Sequence, residues 1–299
     1  MIGDRVEAEG GNKEMEQALE IKNLTKSYSG FCLDGLNLTL PSGCIMGLIG
    51  ENGAGKSTTM KLILNMVHQD SGTIQVLGKH QEEDSQAIKE EVGVVLDEAG
   101  YPECLTAKQI GRMMTHTYQN WDKDVYDGYI KQLRIPWDRE FGELSRGMRM
   151  KLSIAVAMSH HPRLLLLDEA TSGLDPVVRD EVVEMFGEFT RDERHSILIS
   201  SHIVSDLEKL CDYIAFLHKG RLLLCEEKDI LLEQYVMFHG TASEVSAIRP
   251  SAIKGKKESA YGVEAIVRRD AVPAGARLTP ISIEELFIFM IKQREGKDR

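Results

Sequence analysis

The chain has 299 residues, 36 Lys and Arg against 47 Asp and Glu, a net charge of −11, and 42% apolar residues. That length buries a sizeable core, and the composition excludes collagen-like, disulfide-framework and globally disordered chains. The acidic balance excludes non-specific nucleic-acid binding, which needs a basic stripe, so no nucleic-acid partner is expected.

Residues 1–17 are polar and aperiodic and read as a mobile tail, with order beginning at 18–24. Residues 44–49 form a short apolar run ending in Gly50, a buried strand. Residues 56–67 carry Met60, Ile63, Leu64 and Val67 at helical spacing. A second buried strand is expected at 92–96, and a mostly helical stretch over 105–137, closed by Pro136. A helix opening at Ser145 runs through 152–158, and 164–167 is a strand leading into Asp168 and Glu169. Helices follow at 177–191 and 203–211, a strand at 196–200, and a hairpin at 213–217 and 221–225 around Lys219-Gly220. Strands alternating with amphipathic helices predict an α/β fold with a largely parallel sheet.

Beyond residue 234 the texture changes. Strands are expected at 235–240 and 263–268, separated by the Lys/Gly/Ser-rich stretch 251–262, with a final amphipathic helix over 281–293. The expected divisions are therefore 1–17, 18–234 and a small α+β appendage at 235–299. No run approaches the roughly 18–20 apolar residues of a membrane-crossing helix. The first twenty residues lack the apolar core of a secretory signal. Five scattered cysteines without a C-x-x-C pair fit a reducing compartment, and a cytosolic location is expected.

Gly50-Glu-Asn-Gly-Ala-Gly55-Lys56-Ser57 satisfies G-x-x-x-x-G-K-[ST] between a strand and a helix. Gly50, Gly53 and Gly55 let backbone N–H groups converge on an anion, and the helix start adds the positive end of its dipole. Lys56 reaches the β- and γ-phosphates, and the Ser57 hydroxyl suits Mg²⁺. Asn52, Ala54 and Thr58 join these as nucleotide-contacting candidates. The expected ligands are ATP and Mg²⁺. In Leu164-Leu-Leu-Leu-Asp168-Glu169, Asp168 emerges at a strand end to hold Mg²⁺, and Glu169 is placed as general base towards water. His160 and His161, next to Pro162, read as loop residues, and Met148 and Met150 as packing or interface residues.

From about residue 19 to 226 these motifs resemble the nucleotide-binding subunits of ATP-binding-cassette (ABC) transporters. Leu144-Ser145-Arg146-Gly147-Met148 is similar to the family signature LSGGQ, Ser172-Gly-Leu-Asp175-Pro176 to the D-loop, and His202 to the switch histidine. The resemblance implies a P-loop NTPase with a RecA-like core, an antiparallel β subdomain, a helical subdomain at about 98–160, and a small C-terminal appendage. It implies that Tyr28 stacks on adenine, and that Ser145 and Gly147 complete the site of a second ABC ATPase subunit. Asp175 would cross that interface, and His202 would contact the γ-phosphate.

Three positions depart from the family pattern. Asp97 stands at the Q-loop position in place of glutamine, where it would ligate Mg²⁺. Arg146 replaces a signature glycine, placing positive charge near the opposing phosphate or a salt bridge to the partner, and Glu51 stands where proline is common. Lys56, Ser57, Asp168, Glu169 and His202 all remain, so active ATP hydrolysis is expected.

The resemblance implies a dimer sandwiching two ATP molecules and driving an integral membrane permease subunit from the inner face of the cell membrane, in an exporter. The permease would dock between the Q-loop and the helical subdomain, at about 97–118. The final helix either assists dimer contact or packs on its own appendage. A soluble cassette acting in translation or DNA maintenance is the alternative; it usually carries tandem cassettes or a long coiled-coil insertion, and neither is visible. No N-K-x-D guanine motif supports a GTPase.

Overall fold

In the computed structural model, which describes residues 16–97, 100–259, 262–273 and 275–295, the chain opens as a hairpin. Strand β1 (Gln17–Tyr28) pairs antiparallel with β2 (Phe31–Pro41) around Ser29-Gly30, where Gly30 has φ 86. No strand is expected at 31–41 from apolar runs. Yet Leu36-Asn37-Leu38-Thr39-Leu40 alternates apolar and polar residues, and every one of these leucines is buried. Strand β3 (Ile45–Ile49) then leads into helix α1 (Lys56–Ile63), and β4 (Ser71–Val76) and β5 (Lys79–His80) return to the first sheet. That sheet is antiparallel, in the order β2-β1-β4-β5.

Helix α2 (Ser85–Glu91) precedes β6 (Val92–Val95). Helices α3 (Ala107–Met114), α4 (Lys123–Gln132) and α5 (Arg146–Met158) follow, before β7 (Leu164–Asp168) and α6 (Pro176–Phe189). Strand β8 (Ser196–Ser201), helix α7 (Val204–Leu210), and strands β9 (Tyr213–His218) and β10 (Arg221–Glu227) complete a six-stranded sheet. Its order is β10-β9-β3-β8-β7-β6, parallel except at the β9–β10 hairpin.

The apolar runs are continuous because both faces of this sheet are covered. Leu164 and Leu166 pack with α1 and the antiparallel sheet, whereas Leu165 and Leu167 pack with α5, α6 and α7. Each such leucine contributes about 1.5–3 kcal/mol by burial.

Helix α8 (Lys228–Gln234) links to a third, antiparallel sheet, built from β11 (Tyr235–Gly240), β12 (Ile253–Ser259), β13 (Gly262–Arg268) and β14 (Arg277–Thr279). Its order is β12-β13-β11-β14. One face packs on α9 (Ala242–Ser246) through Val236, Phe238 and Val245. The other face joins α10 (Ile283–Glu295), whose Phe287 meets Phe216 of β9 at 5.1 Å between ring centroids. Of the apolar residues of this final helix, Ile283, Leu286, Phe287, Phe289 and Ile291 are buried and Ile288 is exposed.

Several expectations are corrected by local chemistry. Helix α1 stops at Ile63 because Asn65 takes the left-handed conformation, with φ 53. The helical stretch expected over 105–137 breaks in two. Thr115 and Thr117 hydroxyls bond back to the carbonyls of Gly111 and Met113, and Asp122 caps α4 through the N–H groups of Asp124 and Val125. The Lys-rich stretch expected as a separator forms β12, an edge strand on which lysines discourage further pairing. Of the tail expected over 1–17, residues 1–15 lie outside the described residues, and Gln17 already opens β1.

His160 lies in the turn between α5 and β7, a loop residue as expected, yet its side chain is held in the interior. Fully buried, it stacks on Tyr118 at 3.9 Å and donates from Nε2 to the Val92 carbonyl at 3.3 Å. Burial holds its pKa below the ordinary 6.5.

Candidate active site

The glycine-rich loop leaves β3 and turns sharply into α1. A methyl on Gly50 would lie 2.6 Å from the Leu217 carbonyl oxygen, so only glycine fits there. Gly53 has φ +79 and open space beside it, which leaves its backbone accessible to a ligand. Gly55 caps α1 with φ 113 and no side-chain hydrogen bond, so the helix start offers its own N–H groups. Lys56 is 5% exposed; its ammonium donates to Gly50 O at 2.7 Å and lies 3.4 Å from Glu169 Oε1.

Across the sheet, β7 and β8 pair Asp168 with Ser200, and the Ser200 hydroxyl donates to Asp168 Oδ1 at 2.5 Å. Asp168 is buried, so a single cross-strand bond fixes its carboxylate. Glu169 takes a left-handed backbone, φ 54, rare for a residue with a side chain and characteristic of sites where geometry is over-determined. Its amide donates to Ser200 O at 3.1 Å, and its Oε2 accepts from His202 Nδ1 at 2.7 Å. Lys56, Glu169 and His202 therefore form a continuous polar chain.

A cavity of about 450 Å³ opens in front of these groups, lined by Asn52, Gly53, Gly55, Lys56, Ser57 and Thr58 on one side and by Asp97, Glu169 and His202 on the other. Phe31, Glu51 and Ser172 also line it, and none of these three was a sequence candidate. Phe31 leaves a signal only in retrospect. It is the aromatic residue that pairs with Tyr28 across the hairpin, and its ring touches Gly55.

Tyr28 is 46% exposed and does not line the cavity; Lys26 sits over its ring at 5.7 Å. Gly50, Ala54 and Asp168 are buried and support the cavity without lining it.

Ser145, Gly147 and Asp175 belong to a different surface. Ser145 is exposed and caps α5, accepting from Met148 N at 3.3 Å. Gly147 has one neighbour near its missing side chain, Leu174 at 3.6 Å. Asp175 caps α6, accepting from Val177 N and Val178 N at 3.2 and 3.1 Å, and Arg179 donates to Leu174 O at 3.3 Å. Arg146 pairs with Asp97 of its own chain at 2.8 Å, an intrachain contact rather than the partner salt bridge weighed from the sequence.

The donor set fits a nucleoside triphosphate with Mg²⁺. The loop offers N–H groups and an ammonium to phosphate, and Ser57 and Asp168 are hard oxygen donors of the type Mg²⁺ prefers. Among the described residues no cluster of three or more His, Cys, Asp or Glu converges as for a transition metal. None of the described helices is long and apolar enough to cross a membrane.

Residues 33–172 match the ABC transporter family. The bacitracin transport ATP-binding protein BcrA of Enterococcus faecalis is 32% identical over 212 residues, 70% of this chain and 69% of that protein. The chain belongs to the ABC transporter family. The Nod factor export ATP-binding protein I of Rhizobium sp. (strain N33) is 31% identical over 293 residues, 91% of this chain and 96% of that protein. A solved ATP-binding subunit of an ABC transporter superposes with a TM-score of 0.66 at 26% identity, covering 72% of this chain and 91% of its own.

The ABC protein described here is thus an ATP-binding subunit, an ATPase whose turnover is coupled to transport through a membrane partner, and it falls with the exporter type. The alternative of a soluble cassette in translation or DNA maintenance is not favoured, since these relatives are transport and export subunits.

Proposed function

We propose that this subunit pairs with a second cassette subunit so that two ATP molecules are enclosed, each between the glycine-rich loop of one chain and the Ser145–Gly147 helix start of the other. One observation supports the reading: the chain converges Lys56, Glu169 and His202 on a cavity, whereas Ser145 and Gly147 of the signature-like helix start do not line it and Ser145 is exposed. Lys56 and the loop N–H groups hold the β- and γ-phosphates. Ser57 and Asp168 would hold Mg²⁺, which when bound neutralises phosphate charge. Asp97, the further metal candidate of the sequence, stands on the cavity wall with its carboxylate paired to Arg146.

Glu169 accepts the proton of the attacking water, and His202, hydrogen-bonded to it, keeps that carboxylate aimed and meets the γ-phosphate. Closure against a second subunit would exclude water and strengthen each of these electrostatic contacts. The adenine would rest on the β1–β2 hairpin, where Tyr28 is exposed and Phe31 faces the cavity.

Within this reading residues 18–234 form the cassette, with its helical subdomain at about 98–160, and 235–299 an accessory unit. The permease docks in a cavity of about 610 Å³ between α1, α2, β6 and the end of α3, lined by Leu64, Ile88, Val94, Leu96 and Tyr118. The subunit would sit on the cytoplasmic face of the cell membrane and power outward movement of cargo.

Purification from membranes tests this: a hydrophobic integral membrane protein should accompany the subunit, and ATP turnover should depend on Mg²⁺. Recovery with ribosomes or DNA instead would contradict the transport reading.

A further inference from the structure

Two of the positions that depart from the family pattern meet in the fold. Arg146 Nη2 lies 2.8 Å from Oδ1 of Asp97, although 49 residues separate them. The same guanidinium crosses the turn at Gly173, where an added methyl would sit 3.0 Å from Nη1 and 3.1 Å from Cζ. Gly173 has φ +71, so the residue that lets the turn take this shape also leaves room for the flat cation. A single guanidinium, carried by the first residue of α5, therefore touches two other segments: the loop two residues beyond β6 and the turn before α6.

Asp97 lines the phosphate cavity of its own chain, and Arg146 is the first residue of α5, whose start does not line that cavity. Both side chains are about half exposed, so the pair adds little to global stability, and its value lies in direction. A planar fork braced on a glycine fixes an angle that a lysine ammonium would not.

We infer that Asp97 and Arg146 are paired positioning residues: Asp97 serves as the counter-ion of Arg146 instead of a Mg²⁺ ligand. Arg146, braced on Gly173, sets the angle at which Ser145 and the Gly147 N–H meet the opposing triphosphate. The inference rests on the two-subunit site proposed above. It explains the two departures together, since an unpaired arginine at that helix start would be drawn towards the nearest phosphate, and Asp97 holds it aside.

The test uses Asp97→Ala, Arg146→Ala and the double variant in the full chain. ATPase rates are measured over ranges of ATP and Mg²⁺, alongside binding of a fluorescent ATP analogue to the single chain. Each single variant should lower kcat about three- to tenfold, and the double variant should fall no further than the worse single. KM for ATP, single-chain affinity and the half-saturating Mg²⁺ concentration should stay within about twofold of wild type. A half-saturating Mg²⁺ concentration raised severalfold by Asp97→Ala, losses that multiply in the double variant, or wild-type kcat in both singles would overturn the inference. An inactive wild type would overturn the proposed function as well, whereas an active wild type with multiplying losses would overturn this inference alone.

Discussion

The glycine-rich loop and the signature-like helix start differ in how their polar groups are held. At the loop, the interior does the holding: Lys56 is anchored on Gly50 O, Asp168 on Ser200, and Glu169 between Lys56 and His202. At the helix start, Ser145 and Arg146 are exposed, Gly147 has a single neighbour at 3.6 Å, and Val177 beyond the D-loop is 70% exposed. The first region is preorganised for chemistry within one chain. The second satisfies a hydrogen bond locally, through the Ser145 cap, and leaves Ser145 and Arg146 exposed among the described residues. In the proposed dimer, the first region supplies one half of a site and the second the complementary half of the other.

The largest effects should come from the first region. Glu169→Gln is expected to lower phosphate release about 10²- to 10⁴-fold while ATP binding persists, and Lys56→Ala should abolish turnover by removing the charge on the β- and γ-phosphates. Unchanged turnover in either variant would remove that residue from the account.

Gly147→Asp breaks the second region differently. An acid at the second position of α5 favours the helix dipole and replaces a poor helix former, so thermal stability should hold or rise by about 0.3–1 kcal/mol. Turnover should nevertheless fall about a hundredfold, because the acid faces phosphate in the proposed dimer. Lost stability with retained turnover would mean that this face is structural.

Smaller again is the hairpin. Phe31→Ala and Tyr28→Ala should each raise KM for ATP with little change in kcat, and the residue that stacks on adenine should cost about 1 kcal/mol, roughly fivefold. A larger effect at Phe31 than at Tyr28 would place the base on the cavity wall, and the reverse would place it on the exposed ring.

The smallest effect concerns the support beneath α5. The neutral His160 ring is the folded form, because burial lowers its pKa below 6.5. Below that pH the unfolded chain binds a proton the folded chain refuses. This contribution is therefore complete above 6.5 and declines on acidification, by at most about 1.4 kcal/mol per pH unit. His160→Phe keeps a ring against Tyr118 and cannot protonate, so denaturant midpoints of variant and wild type should converge as pH falls. A constant difference would contradict the assignment.

Much of this was legible in the residues. The loop motif, the run Leu164–Asp168 and the cap at Ser145 are local signals, set by turn chemistry, two-sided burial and helix capping. What escaped depends on register or on contacts distant in sequence. Ser200 as the partner of Asp168, Arg146 as the partner of Asp97, and Phe31 against Gly55 arise only when separate segments are brought together. Strand β12 escaped because edge protection writes lysines where sequence reading expects a loop.

Two chains that complete each other's sites should associate when nucleotide is held, which light scattering of Glu169→Gln measures. With saturating ATP and Mg²⁺ the particle should have twice the 33.5 kDa chain mass and carry two nucleotides, returning to one chain mass when nucleotide is removed. A particle of one chain mass that still holds ATP at saturation would contradict it.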